Sequence, residues 1–181
     1  MKFINKLTTG LVGLTLFFSP SVRADSYEEH RGLINSLEKV GVEVVLNHPD
    51  LCDPEEGVAG LYSPSHNILI VCQDRRSSFS SKEVPWTAND YDTLRHEAHH
   101  VVQDCMDGLE NGTSEIFFTR DELPGFVNRT LTEEEYDNIV EVYGEMGSSD
   151  EVILMEVEAF AVAKSIDAES ISNAVGTLCE V

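Results

Sequence analysis

Thr93 to Cys105 reads TLRHEAHHVVQDC. Within it, His96 and His100 stand four residues apart with Glu97 beside the first. On a helix, residues four apart are neighbours on one face, close enough to grip one cation together. Neutral imidazole suits zinc, and Glu97, to one side of the pair, can take a proton from a water activated at the ion. The pattern arises by chance in roughly two of a hundred chains of this composition, so its surroundings have to support it. At about 100° per residue, Leu94, Ala98, Val101, Val102 and Cys105 gather on one face and His96 and His100 on the opposite one. The apolar face would meet a core and the imidazoles a cleft. His99 falls on the flank beyond Arg95, which suits a supporting or surface role more than ligation.

A zinc site needs a third protein ligand. The stretch MEVEAFAVA, Met155 to Ala163, offers Glu156 and Glu158. On a helical wheel Glu158 shares a narrow polar stripe with Glu151 and Ser165, the place for a solvated carboxylate. Glu156 falls among Val152, Ala159, Phe160 and Ala163, where a charge needs a partner. A metal ion is one such partner; Arg95 or Lys164 would be another. Glu156 is therefore the expected third ligand, with one zinc per chain.

The elements that must position these groups are legible as an α+β order. Asp25 or Ser26 can cap a first helix that runs to about Val40 and stops at Gly41. VEVVLN (42–47) predicts a strand. GVAGLY (57–62) and NILIVC (67–72) flank the turn residues Ser63 to His66 and predict a hairpin. Thr87, Asn89 or Asp90 caps the histidine helix, which ends near Asp107 with Gly108 beyond it. Residues 108–130 read mostly as loop. Thr132 and Glu135 form a capping box ahead of a helix to about Met146. Ser149 or Asp150 caps another over 151–166, and a last short helix covers about 169–178. The expected fold is a small antiparallel or mixed sheet with a hairpin packed on the histidine helix, then C-terminal helices.

Lys2, Lys6, the apolar run Gly10 to Phe18 and the small residues ending at Ala24 predict a signal peptide over 1–24 and one domain over 25–181. The apolar run is shorter than the roughly 20 residues a membrane span needs. Loss of 1–24 removes Lys2, Lys6 and Arg23 but no carboxylate, taking the formal charge from −21 to −24. Such acidity disfavours nucleic acid and anionic lipid as partners and acts mainly on solubility. Nothing specifies an oligomer, and a monomer is expected. Four cysteines in an exported chain predict two disulfides. Of three possible pairings we expect Cys52–Cys72, closing a sheet segment, and Cys105–Cys179, tying the chain end to the histidine helix. Asn111 and Asn128 begin glycosylation-type triplets that read as chance or turn residues. His30, His48 and His66 read as surface residues, and Trp86 as a core or staple residue.

His96-Glu97-Ala98-His99-His100, the later Glu156-Val157-Glu158-Ala159-Phe160 and a hairpin ahead of the first motif together resemble the zincin metallopeptidases. More narrowly, they resemble the gluzincins, whose third ligand is a glutamate. The Glu-x-Glu-Ala element is similar to that of the CAAX-prenyl-protease group, in which the first glutamate binds zinc. That group's members are integral membrane proteins and usually carry an acidic residue where this chain has Phe160. The likeness is thus to a clan's active-site core, about ten residues of motif within 42–166. It implies a secreted zinc peptidase acting on peptides or proteins, with His96, His100 and Glu156 as ligands and Glu97 as general base. Tyr136 and Tyr143 are the candidates to steady the oxyanion. By analogy NILIVC or GVAGLY would offer an edge strand to an extended substrate. Two other classes compete: a non-catalytic exported binding protein on the same scaffold, and an acidic envelope protein whose histidine helix is coincidental.

Overall fold

The computed structural model describes residues 27–53, 57–76, 84–106, 108–109 and 114–179. The expected signal peptide, the Asn111 triplet and parts of the loops after Asp53 and Arg76 lie outside them. The element order is α1 (Tyr27–Lys39), β1 (Glu43–Leu46), β2 (Gly60–Ser63), β3 (Ile68–Val71), α2 (Ala88–Cys105), α3 (Leu123–Thr130), α4 (Glu133–Glu145), α5 (Asp150–Ser165) and α6 (Ala168–Leu178). This is an α+β fold with a mixed sheet of order β1-β3-β2. β3 pairs parallel with β1 and antiparallel with β2.

Side chains alternate across the sheet as strand geometry requires. Leu69 and Val71 of β3, with Tyr62 of β2, pack on Leu94, Ala98, Val101 and Val102 of α2. Leu33 and Leu37 of α1 and Ile171 and Val175 of α6 complete that core. Ile70 points to the other face, against the Cys52–Cys72 disulfide. A second cluster joins Leu123 and Val127 of α3, Ile139 of α4, and Val157 and Ala161 of α5. α5 therefore lies between two cores, with Val162 in the first and Val157 in the second.

Local chemistry sets the helix bounds. Thr87 and Asp90 form a reciprocal capping box at the start of α2, and Thr132 and Glu135 form another at α4. Ser149 caps α5 and Asp167 caps α6. Each such cap is worth about 1 kcal/mol. Gly41 follows α1 with φ of 91° and Gly108 follows α2 with φ of 96°, backbone that disfavours any other residue. Both expected disulfides are present, Cys52–Cys72 and Cys105–Cys179.

Four expectations need correction. The 108–130 stretch contains α3. Its Pro124 sits in the first helical turn, where no N–H is missed, and Leu123 and Val127, four apart, are both buried. NILIVC is the central strand, paired on both sides, so of the two candidate strands β2 is the one at a sheet edge among the described residues. His30 is not a surface residue: it is buried, its ring lies 4.2 Å from that of Tyr91, and Arg95 donates to its Nε2. Glu158 is wholly buried, not solvated. A helical wheel places it on a polar stripe whose other members, Glu151 and Ser165, are exposed, but the backbone at Phe117 and Phe118 covers Glu158 itself. His48 is half-buried and His66 exposed, Asn128 is exposed on α3, and Trp86 stacks on Tyr91 against the main core.

Candidate metal centre

α2 is held at both ends. At its start, buried Asp90 accepts from the N–H groups of Thr87 (2.7 Å) and Asp74 (2.8 Å). At its end, Cys105 is bonded to Cys179. With Leu94, Ala98, Val101 and Val102 locked in the core, the helix can hold its other face in fixed register.

On that face the two imidazoles meet Glu156 of α5. His96 Nε2 and His100 Nε2 are 3.1 Å apart, and Glu156 Oε2 lies 3.2 Å from the first and 3.5 Å from the second. Ligand bonds of about 2.0–2.1 Å in a tetrahedral site place donor atoms about 3.3 Å apart. The triangle has those dimensions, and these three are the one grouping of metal-ligand type found among the described residues. Neither Arg95 nor Lys164 serves Glu156 instead. Arg95 donates to the Ala163 carbonyl, His30 and Asp92, and Lys164 pairs with Glu135 at 2.6 Å.

Two atoms of the cluster are left wanting. Glu156 Oε2 and His96 Nδ1 are buried with no hydrogen-bond partner among the described residues. An unsatisfied buried polar atom costs about 1–3 kcal/mol. A divalent cation between the three donors satisfies the carboxylate oxygen and separates the facing nitrogens, so the residues fit such an ion.

The electrostatics are strained in the same way. Burial pushes His96 down to about 4, keeping it neutral. Burial opposes charge on His100 too, but its contact with Glu156 and the charge of Glu97 prevail and push it up to about 9. Burial also resists ionisation of Glu156, yet the two imidazoles hold its carboxyl well below the usual range. Burial pushes Glu97 up to about 7, against the pull of His100 and of the Tyr62 N–H.

β2 presses close to Glu97. A Cβ on Gly60 would stand 2.8 Å from Glu97 Oε1 and 2.6 Å from Thr93 Cγ2. Only glycine permits that approach. The cleft in front of these groups has a volume of about 770 Å³, with Gly57–Gly60 on one side and α4 and α5 on the other. Ile139, Tyr143, Met146 and Phe160 make it largely apolar. Phe160 shields His96, with ring centres 4.4 Å apart. Tyr143 hydrogen-bonds Glu156, and burial and that carboxylate push its phenol up. Tyr136 lines a different hollow beside α3.

Three residues that sequence reasoning undervalued stand behind the triangle. His100 Nδ1 donates to Gln103 Oε1 at 2.7 Å. Gln103 Nε2 donates at 3.0 Å both to the Met155 carbonyl and to Glu158 Oε1. Glu158 also accepts from His99 Nε2 (2.7 Å) and from the N–H groups of Phe117 (2.8 Å) and Phe118 (3.0 Å). Burial alone would raise Glu158, but these donors outweigh it and hold the carboxyl low. Burial lowers His99, so it serves as a neutral donor. One available signal was the spacing of His99, His100 and Gln103 within one helical turn.

Residues 16–169 match a family described as a domain of unknown function, DUF8637. The chain belongs to that family. No curated protein and no solved structure matches it.

Proposed function

We propose that this DUF8637 protein is an exported zinc-dependent peptidase of gluzincin type, with His96, His100 and Glu156 as ligands and Glu97 as general base. The observation that supports it most is the convergence of three donor atoms at 3.1–3.5 Å, one of them a buried carboxylate oxygen without a hydrogen bond. No described helix is long and apolar enough to cross a membrane, and the disulfides are compatible with export.

Zinc, when bound, would supply Lewis acidity toward a scissile carbonyl and toward water. The chain's own groups do the rest. Glu97, at about 7, is poised near neutrality to accept a proton from water and return it to the departing amine. β2 has no second sheet partner among the described residues, so its outer edge, beside the exposed Val58 and Leu61, would receive an extended peptide. The apolar wall of Ile139, Tyr143 and Phe160 receives a side chain and excludes water. Tyr143 orients Glu156 and is the better placed of the two tyrosines to meet a developing oxyanion.

A binding protein on the same scaffold has no need of a base beside the ligands, so Glu97 separates the classes. Glu97→Gln is expected to lower hydrolysis of a quenched peptide library by about 10²–10⁴-fold while leaving zinc content unchanged. Equal turnover by that variant refutes the enzyme. Zinc-edge anomalous scattering from a crystal identifies the ion and its donors together.

A further inference from the structure

Resting on the metal-site proposal above, the structure assigns to Gln103 the role of a positioning residue that fixes the tautomer and ring plane of His100, with Glu158 as its anchor. The orientation of the Gln103 amide follows from its surroundings. One end faces two acceptors, the Met155 carbonyl and Glu158 Oε1, each at 3.0 Å. Only the NH₂ end can satisfy both, so the oxygen must face His100. His100 Nδ1 therefore carries the proton in that 2.7 Å bond, and the Nε2 lone pair is the one left for a cation.

The anchor is itself immobile. Gln103 and Glu158 are both 0% exposed, and Glu158 is gripped by His99 and two backbone N–H groups besides Gln103. The amide can neither flip nor swing without stranding buried partners, and a buried donor or acceptor left unmade is costly. His96 is different: its Nδ1 has no hydrogen-bond partner among the described residues. Of the two imidazoles, only His100 is oriented through its second nitrogen. Such backing of a ligand histidine is typically worth 10–100-fold in metal affinity.

The test is zinc affinity, measured on the full chain by competition with a chromophoric chelator, with melting of the metal-free proteins as the check on folding. Gln103→Met keeps the volume and removes the amide; it should weaken zinc by about 10–100-fold. Gln103→Glu should recover most of that loss, because a protonated carboxyl still accepts from His100 and donates to Glu158. A spin-active cadmium isotope with nitrogen-labelled histidine gives a readout that simple destabilisation does not move. Coupling to His100 should run through Nε2, with Nδ1–H slow to exchange. Coordination through Nδ1 overturns the assignment, even if Gln103→Met does not fold. A wild-type protein that binds zinc and a folded methionine variant that binds it within about threefold overturn it too, leaving the metal site standing. A wild-type protein that takes up no zinc at micromolar concentration removes both.

Discussion

α2 and α5 meet through two histidine–glutamate contacts built from the same residue types, and the two differ in completeness. His99 and Glu158 form a closed set. Glu158 Oε1 accepts from His99, Gln103 and Phe117, and Oε2 accepts from Phe118. His96, His100 and Glu156 form an open one, in which two nitrogens face each other at 3.1 Å and an oxygen and a nitrogen go unsatisfied. The closed set is a strut. The open set has the dimensions of a site for a divalent cation, which is the ligand proposed for it. Identical side chains thus do different work according to how many donors surround the carboxylate.

The largest expected difference is in stability. Glu158→Ala strips a buried carboxylate from four donors and should cost about 3–5 kcal/mol in urea unfolding of the metal-free protein. Glu156→Ala should cost less in the same measurement, about 1–2 kcal/mol, because it takes one partner from His100 whereas Glu158→Ala strands four donors. Similar losses from the two variants would erase the distinction.

The increment that zinc adds should rank the two positions the other way. At about 100 times its dissociation constant, it should stabilise the wild-type protein by about 2.7 kcal/mol. Glu156→Ala should lose that increment. A milder, still folded Glu158→Gln should keep a measurable part of it.

The pH dependence sharpens the contrast further. A cation can bind Nε2 of His100 only after its proton leaves, and that group sits at about 9. Zinc affinity should therefore rise about tenfold per pH unit between 7 and 8.5, with about one proton released, as calorimetry in buffers of different ionisation enthalpy would show. Within the metal-free fold the two neighbours have opposite signs. His100 is raised, so its stabilisation is full below about 6.5 and lost as pH climbs through 9. His99 is lowered, so its stabilisation is present above about 6.5 and lost as pH falls. Glu158 is lowered as well, and it adds a second loss below about 4.3.

The smallest effect concerns the approach to Glu97. Gly60→Ala should displace that carboxylate and lower peptide hydrolysis by about tenfold, with zinc affinity within about threefold of wild type. A matching fall in affinity would mean that β2 supports the ligands rather than the base.

The open set was legible in the sequence, and the closed one was not. A four-residue spacing and a carboxylate on an apolar face are local facts, and they named His96, His100, Glu97 and Glu156. The capping boxes and the hairpin were local too. The place of Glu158 depends on Phe117 and Phe118, forty positions away, whose N–H groups meet its carboxylate. His30 escaped for the same reason, since its neighbours Tyr91 and Arg95 come from another helix. α3 was hidden by Pro124 and Gly125, which punctuate loops elsewhere but are tolerated in its first turn. Periodicity shows which side chains share a face and is silent about what lands on it.

Glu156 and Glu158 are two residues apart on one helix, so they point to nearly opposite sides of its axis. The strut therefore sets the angle at which α5 is clocked about that axis, and the cleft-facing carboxylate inherits the setting. A disturbance at Phe117 or Phe118, outside the cleft altogether, would reach Glu156 as a small turn of a rigid rod.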